Sequence, residues 1–93
     1  MAFRVWSTNQ DSLVVIACEG HLDDEAMAAV ERALQEARRT DATAHLRLTR
    51  GTTAERGVIG RLAGYDPAEL LVESPFLRAW IEEWRNTRKD ETR

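Results

Sequence analysis

The chain has 93 residues, of which 43% are hydrophobic and 31% charged, and its formal net charge is −3. This length and composition predict one globular domain, close to the lower size limit for folding on a hydrophobic core alone. The acidic balance disfavours nucleic-acid binding, which needs clustered basic residues, and no apolar run is long enough for a membrane span. Cys18 is the only cysteine and no secretion signal is recognisable at the start, so we expect a cytoplasmic protein.

Two β-strands joined by a short turn are predicted first. Residues Phe3–Thr8 alternate in the manner of an edge strand, and Leu13–Cys18 is an unbroken apolar run typical of a strand buried on both faces. Because few polar residues separate them, the two strands should form an antiparallel hairpin. Gly20 is expected to end the second strand.

The clearest helix signal follows, from about Asp24 to Arg39. Asp23 can cap its start, where acidic residues favour the helix dipole, and basic residues lie at its far end. The residues predicted to form its buried stripe are Met27, Val30, Leu34 and Ala37.

A third strand is predicted at Ala44–Thr49, where apolar and polar residues alternate, which indicates that one face of the sheet is open. Thr52 and Glu55 fit a capping box, so the second helix is expected to start there. Gly57 and Gly60 each weaken that helix by about 1 kcal/mol relative to alanine. Their cost must be offset by packing or by a need for bare backbone.

The last elements are a strand at Glu69–Glu73 and a helix that begins with Ser74 as its cap and Pro75 at its first position. The apolar face of this helix consists of Phe76, Leu77, Trp80, Ile81 and Trp84. We interpret the pair Trp80 and Trp84 as core and not as a partner-binding stripe. The polar residues from Asn86 onward are expected to fray. The domain is therefore predicted at 1–88, with a frayed tail at 89–93.

The order of elements is β-β-α-β-α-β-α, which predicts a single small α/β domain with a four-stranded mixed sheet. Right-handed crossovers that step in one direction place the helices mainly on one face of the sheet. The second strand is apolar on both faces, so its other face needs a cover. A partner, a second copy or the chain's own ends are the three candidates.

No residues combine the type and the spacing required for catalysis or metal binding. His21 and His45 lie far apart, and Cys18 lacks a second ligand at a suitable spacing. Helix capping explains the acidic residues 23–25 without acid–base chemistry. Residues 57–60 superficially resemble the GxxG loop of KH domains, but the element order and acidic charge disfavour that module. We predict no enzymatic activity, no metal and no cofactor.

Three segments together resemble the STAS domain, the family of bacterial anti-sigma-factor antagonists. Gly20-His21-Leu22-Asp23 before an alanine-rich helix is similar to the family's G-x-L-D entry. Leu46-Arg47-Leu48-Thr49 and Arg56-Gly57-Val58 resemble its third strand and the start of its second helix. The similarity spans roughly residues 3–85. It implies a non-enzymatic domain that binds a regulatory kinase, a sigma-factor regulator or a similar protein.

The chain departs from that family at the site of regulation. Arg47 stands where the family's third strand typically carries an aspartate. The family places a phosphorylatable serine or threonine just before the helix glycine, and Arg56 occupies that position when Gly57 is set on the glycine. The resemblance therefore implies a binding surface without the phosphoswitch.

We accordingly predict a protein–protein interaction module. Its expected partner-binding residues are Arg50, Thr52, Thr53, Glu55, Arg56, Gly57 and Arg61. One alternative is a small-molecule or nucleotide-binding domain that uses the N-terminus of the second helix, with Arg50, Arg56 and Arg61 as counter-charges. Another is a structural subunit that forms a homo-oligomer across the open sheet face.

Overall fold

The apolar segments form a four-stranded mixed sheet with three helices packed on one of its faces. The computed structural model describes residues 3–91. The strands are β1 (Arg4–Gln10), β2 (Leu13–Leu22), β3 (Thr43–Ala54) and β4 (Leu70–Val72), and the helices are α1 (Asp24–Arg38), α2 (Arg56–Ala63) and α3 (Pro75–Glu91). The strand order is β1-β2-β3-β4, with β1 antiparallel to β2 and the other pairs parallel. The predicted fold class is confirmed.

The core lies between this sheet and the helices. Both crossovers, β2–α1–β3 and β3–α2–β4, step in the same direction across the sheet, so right-handedness places their helices on the same face. One face of β2 and β3 thereby becomes fully buried. The fully or nearly buried side chains that join sheet to helices are Ile16, Cys18, Met27, Val30, Leu34, Leu46, Leu48, Val58, Ile59, Leu62, Leu77 and Ile81.

Local signals place α1 and α3 where the sequence predicts them. The Asp23 carboxylate accepts a hydrogen bond of 2.8 Å from the backbone N–H of Ala26, and the predicted stripe of α1 is buried. The Ser74 hydroxyl caps α3 by accepting a bond of 3.4 Å from the N–H of Leu77. Helix α3 continues to Glu91, past Asn86, where fraying was expected to begin. No helix within residues 3–91 is long and apolar enough to cross a membrane.

Two strands and one helix start differ from the prediction. β2 continues through Gly20, which has a φ of 116°, and β3 continues from Thr49 to Ala54. Helix α2 begins at Arg56 with Glu55 at its N-cap, so the expected capping box from Thr52 is wrong. The reason is tertiary, since the last residues of β3 pair with β2 instead of starting a helix.

In the described part of the chain, the second face of the sheet carries no helix. Trp6, Ala17, Arg47 and Leu71 lie in one row across the strands on that face. Ala17 is 2% exposed because its larger neighbours in the row cover it, whereas Leu71 at the sheet edge is 52% exposed. The Arg47 guanidinium donates hydrogen bonds of 2.9 and 3.1 Å to the Glu73 carboxylate, which raises the pKa of Arg47. The expected open face is confirmed, and side chains of the sheet itself give it a partial cover.

Candidate functional site

The segment that leads into α2 is a bulged strand. Cys18 pairs with Leu48 and Gly20 pairs with Thr52, so β2 advances by two residues where β3 advances by four. Residues 49–51 form the resulting bulge in β3. Bulges redirect side chains and are frequent beside functional sites. This one brings the last part of β3 to the carboxyl end of the sheet, where ligand sites of open α/β sheets commonly lie.

Two threonines secure the bulge from inside. The backbone carbonyl of Cys18 accepts hydrogen bonds from the hydroxyls of Thr49 and Thr52, at 3.0 and 2.9 Å. These bonds occur where the register of β2 and β3 shifts, so they tie the two strands together at a break in the ladder. Thr52 is only 2% exposed, so its predicted place in a partner-binding surface is not available to it.

Thr53 belongs instead to an exposed polar cluster with His21 and Glu55. The Thr53 hydroxyl lies 2.9 Å from Nδ1 of His21, and a Glu55 carboxylate oxygen lies 3.7 Å from Nε2 of the same ring. Hydroxyl, imidazole and carboxylate follow the order of a catalytic triad. All three residues are exposed to solvent, which leaves the group in a high dielectric and without a closed cavity. The pairing of His21 with Thr53 across the strands creates this cluster, which no local pattern in the sequence indicates.

The arginines of the predicted site divide into two groups. Arg61 forms ion pairs with Glu31 and Asp24 of the first helix, which fasten α2 to α1. Arg50 and Arg56 are exposed, and neither forms an ion pair with any residue that the structure describes. Arg61 is thus a structural residue, and only Arg50 and Arg56 have charges left for a partner.

The two glycines of α2 have different surroundings. A Cβ atom on Gly60 would lie 3.0 Å from Cζ2 of Trp84, so this glycine lets α3 approach closely. A Cβ atom on Gly57 would meet nothing within 4 Å. Packing therefore accounts for Gly60, whereas no contact in the fold accounts for Gly57. The bare backbone of Gly57 is open to whatever approaches the start of the helix.

The first turn of α2 has unused capacity for an anion. Glu55 at the N-cap makes no side-chain capping bond, and the first turn contains no acidic residue. The N–H groups of Val58 and Ile59 donate to the Glu55 carbonyl, at 3.0 and 3.2 Å, so those of Arg56 and Gly57 are the first-turn donors without a backbone acceptor among the described residues. The helix dipole makes this end electropositive. Arg56 and the bulge residue Arg50 add to that positive potential. A carboxylate supplied by another molecule could accept hydrogen bonds from the free N–H groups of this first turn.

Phe76 adds an apolar group at the same end of the molecule. It is 72% exposed and makes an edge-on contact with Trp80, with ring centroids 5.8 Å apart. Helices α2 and α3 both start at the carboxyl end of the sheet, and the contact of Gly60 with Trp84 sets their alignment. Trp80, one turn before Trp84, is then level with the start of α2, and Phe76 lies one turn beyond it.

Phe76 is exposed, so the broad apolar face predicted for α3 belongs to the core only in part. Its neighbours Leu77 and Ile81 are buried and Trp84 is half-buried, whereas Trp80 lies at the margin of the core. A helical wheel contains a weak signal of this difference, because Leu77, Ile81 and Trp84 share one stripe to which Phe76 does not belong. The apolar face of α3 is wider than the core requires. We call Arg50, Arg56, Gly57 and Phe76 the end surface.

The remaining chemistry-bearing groups support no reactive centre. Burial raises the pKa of the Cys18 thiol to about 11, so the thiol stays protonated and poorly nucleophilic at neutral pH. Burial also raises the pKa of Tyr65, and the charge of Glu31 raises it further. Within the described residues, no three histidine, cysteine or acidic side chains are grouped as a metal site would need.

Comparisons with protein-family models, curated proteins and solved structures give no match. The resemblance to STAS domains therefore stays a prediction from the sequence.

Proposed function

We propose that this domain is a non-enzymatic interaction module that binds a protein partner through the end surface. The observation that carries the proposal is that the bare backbone of Gly57, two exposed arginines and the exposed ring of Phe76 all occur at the carboxyl end of the sheet. Interfaces are enriched in arginine and aromatic residues, which supply most of the binding energy at hot spots. A STAS-like regulatory role, with a regulatory kinase or sigma-factor regulator as partner, is compatible with this position at the start of α2.

The surface has a definite chemical preference. Arg50, Arg56 and the N-terminus of α2 favour a carboxylate, while Phe76 favours an apolar side chain. The preferred partner is consequently a protein segment that carries an acidic residue beside an apolar one. Thr53 and Glu55 lie next to this surface and are exposed, so they remain candidate contacts.

A nucleotide or phosphate ligand has less support at the same place. Arg61, one of its three expected counter-charges, is engaged by Glu31 and Asp24. Phe76 offers an apolar contact that inorganic phosphate cannot use. Thermal-shift measurements with nucleotides and phosphate test this alternative, and a saturable rise in Tm at millimolar ligand would favour it over a protein partner.

The proposal is tested by affinity capture followed by titration of the purified partner. Arg56→Glu reverses the central charge, and Phe76→Ala removes the apolar contact. Arg32→Glu is the matched control, because Arg32 is an exposed arginine of α1 outside the end surface. We expect Arg56→Glu and Phe76→Ala each to weaken binding by about tenfold or more, which is the size of a hot-spot effect. Equal affinity of Arg56→Glu and Arg32→Glu would show that the end surface is not the binding site.

A further inference from the structure

Among residues 3–91, β1 pairs with β2 alone, which leaves one edge of the sheet open. β1 pairs with β2 over seven consecutive residues without a register shift, and all of its residues are exposed. It contains no proline and no lysine, and it has no bulge. These are devices that proteins commonly use to prevent edge strands from pairing with another chain. Their absence from β1 leaves a regular strand that is able to extend the sheet.

The register defines which backbone groups are available at that edge. A two-residue turn closes the hairpin, so the pair Gln10–Leu13 is of the hydrogen-bonded type. Counting back, every second residue of β1 directs its N–H and C=O towards β2. The alternate residues Val5, Ser7 and Asn9 direct theirs to the free edge. The N–H of Thr43 donates to the carbonyl of Ser12, just before β2. Even-numbered residues of β2 therefore direct their backbone groups towards β3, and odd-numbered ones such as Leu13 direct theirs towards β1, as the assignment requires.

We propose that a second copy of this chain pairs with β1, antiparallel, about a twofold axis at Ser7. This antiparallel register pairs all seven residues of β1 with those of the second copy. It satisfies the free groups of Val5, Ser7 and Asn9 in hydrogen-bonded pairs. The two sheets become one sheet of eight strands. The proposal concerns the edge of the sheet and does not depend on the end surface.

In this register, the side chains of the two β1 strands form compatible cross-strand pairs. Arg4, the only charged residue of the strand, faces Gln10 of the second copy, whereas parallel pairing would place the two Arg4 residues side by side. Trp6 faces Thr8 of the second copy, and aromatic residues opposite β-branched residues are favourable cross-strand pairs. On the helix face, Val5 lies at the rim of an open groove of about 380 Å³ between β1 and α1.

Sedimentation equilibrium and engineered cysteines test the proposal on the full chain. We expect a reversible dimer, with twice the chain mass of 10.6 kDa, between micromolar and millimolar concentrations. Ser7→Pro removes the N–H at the axis and should raise the dissociation constant by about tenfold or more. In a hydrogen-bonded antiparallel pair the Cα atoms lie about 5.5 Å apart, which suits a disulfide. Ser7→Cys should therefore cross-link under oxidised glutathione.

Asn9→Cys is the matched control, because it lies on the same edge and the same face. In the proposed register Asn9 faces Val5 of the second copy, and the Cα atoms of the two Asn9 residues are about 14 Å apart, too far for a disulfide. Asn9→Cys should therefore form no disulfide within the dimer. Native Cys18 is buried and does not contribute. A monomer at every concentration, an unchanged dimer for Ser7→Pro, or equal cross-linking of the two cysteine variants would each overturn the proposal.

Discussion

The two glycines of α2 should respond in opposite directions to alanine. In a helix interior, alanine is favoured over glycine by about 1 kcal/mol because it restricts the unfolded chain. At Gly57 the added methyl group meets nothing within 4 Å, so the protein should gain about 0.5–1 kcal/mol of unfolding free energy. At Gly60 the same methyl group would lie 3.0 Å from Cζ2 and 3.3 Å from Cε2 of Trp84.

The contact with Trp84 determines whether Gly60→Ala raises or lowers the unfolding free energy. Carbon atoms normally approach to about 3.5–4.0 Å, so the indole or the helix must shift by about 0.5 Å. The Trp84 ring is half-buried and packs against the core, so it has little room to move. Overpacking of this kind costs about 1–3 kcal/mol, more than the gain in helix propensity. Gly60→Ala should then lose about 1 kcal/mol, and its Tm should fall by about 4–8 °C.

Urea and thermal unfolding, followed by circular dichroism, measure both variants against the native chain. A double-mutant cycle identifies the cause, because in the Trp84→Leu background Gly60→Ala should become stabilising. Equal stabilisation by Gly57→Ala and Gly60→Ala in the native background would refute the argument from close helix packing.

Three further outcomes follow from the buried groups. Thr52→Val should lower the unfolding free energy by about 1–2 kcal/mol, because it removes a buried hydrogen bond to the Cys18 carbonyl. Thr53 is exposed, so Thr53→Val should change the unfolding free energy by less than about 0.5 kcal/mol. Similar losses in urea titrations of the two variants would contradict the buried role of Thr52. Leu77→Ala should lower the unfolding free energy by about 2–5 kcal/mol and Phe76→Ala by less than about 1 kcal/mol, because only Leu77 lies in the core. A comparable fall in Tm for both variants would place Phe76 in the core. The pKa of Cys18 is raised to about 11 from its ordinary value of 9.0, so its contribution to stability is complete below about pH 9 and is lost as the pH rises towards 11. Urea midpoints should therefore fall more steeply over that range for the native chain than for Cys18→Ala, and parallel pH profiles would refute the shift.

Most of the fold could be predicted because it follows from local patterns. The stripe of α1, the caps at Asp23 and Ser74 and the alternation in β3 each depend on residues close together in sequence. The order of elements, combined with the right-handed crossover, was then enough to predict helices on one face. The confirmed fold class rests on these features.

The prediction was wrong where a long-range contact competes with a local signal. Thr52 and Glu55 have the spacing of a capping box, but the Thr52 hydroxyl bonds to a carbonyl of β2, 34 residues away in sequence. Gly20 resembles a strand end, yet it continues β2 past the bulge with a positive φ. In both cases strand pairing overrides a local preference of about 1 kcal/mol.

The candidate site, like the fold, could be predicted from the sequence only in part. Sequence alone identified the start of α2 and its arginines as the region of interest. It could not show that Arg61 is held by Glu31, that Thr52 is buried, or that Phe76 is exposed. The order of the elements and the face that carries the helices follow from the sequence, because they depend on short-range propensity and on the right-handed crossover. Which side chains remain free for a partner depends on the tertiary structure, because pairing and packing across the fold engage the others.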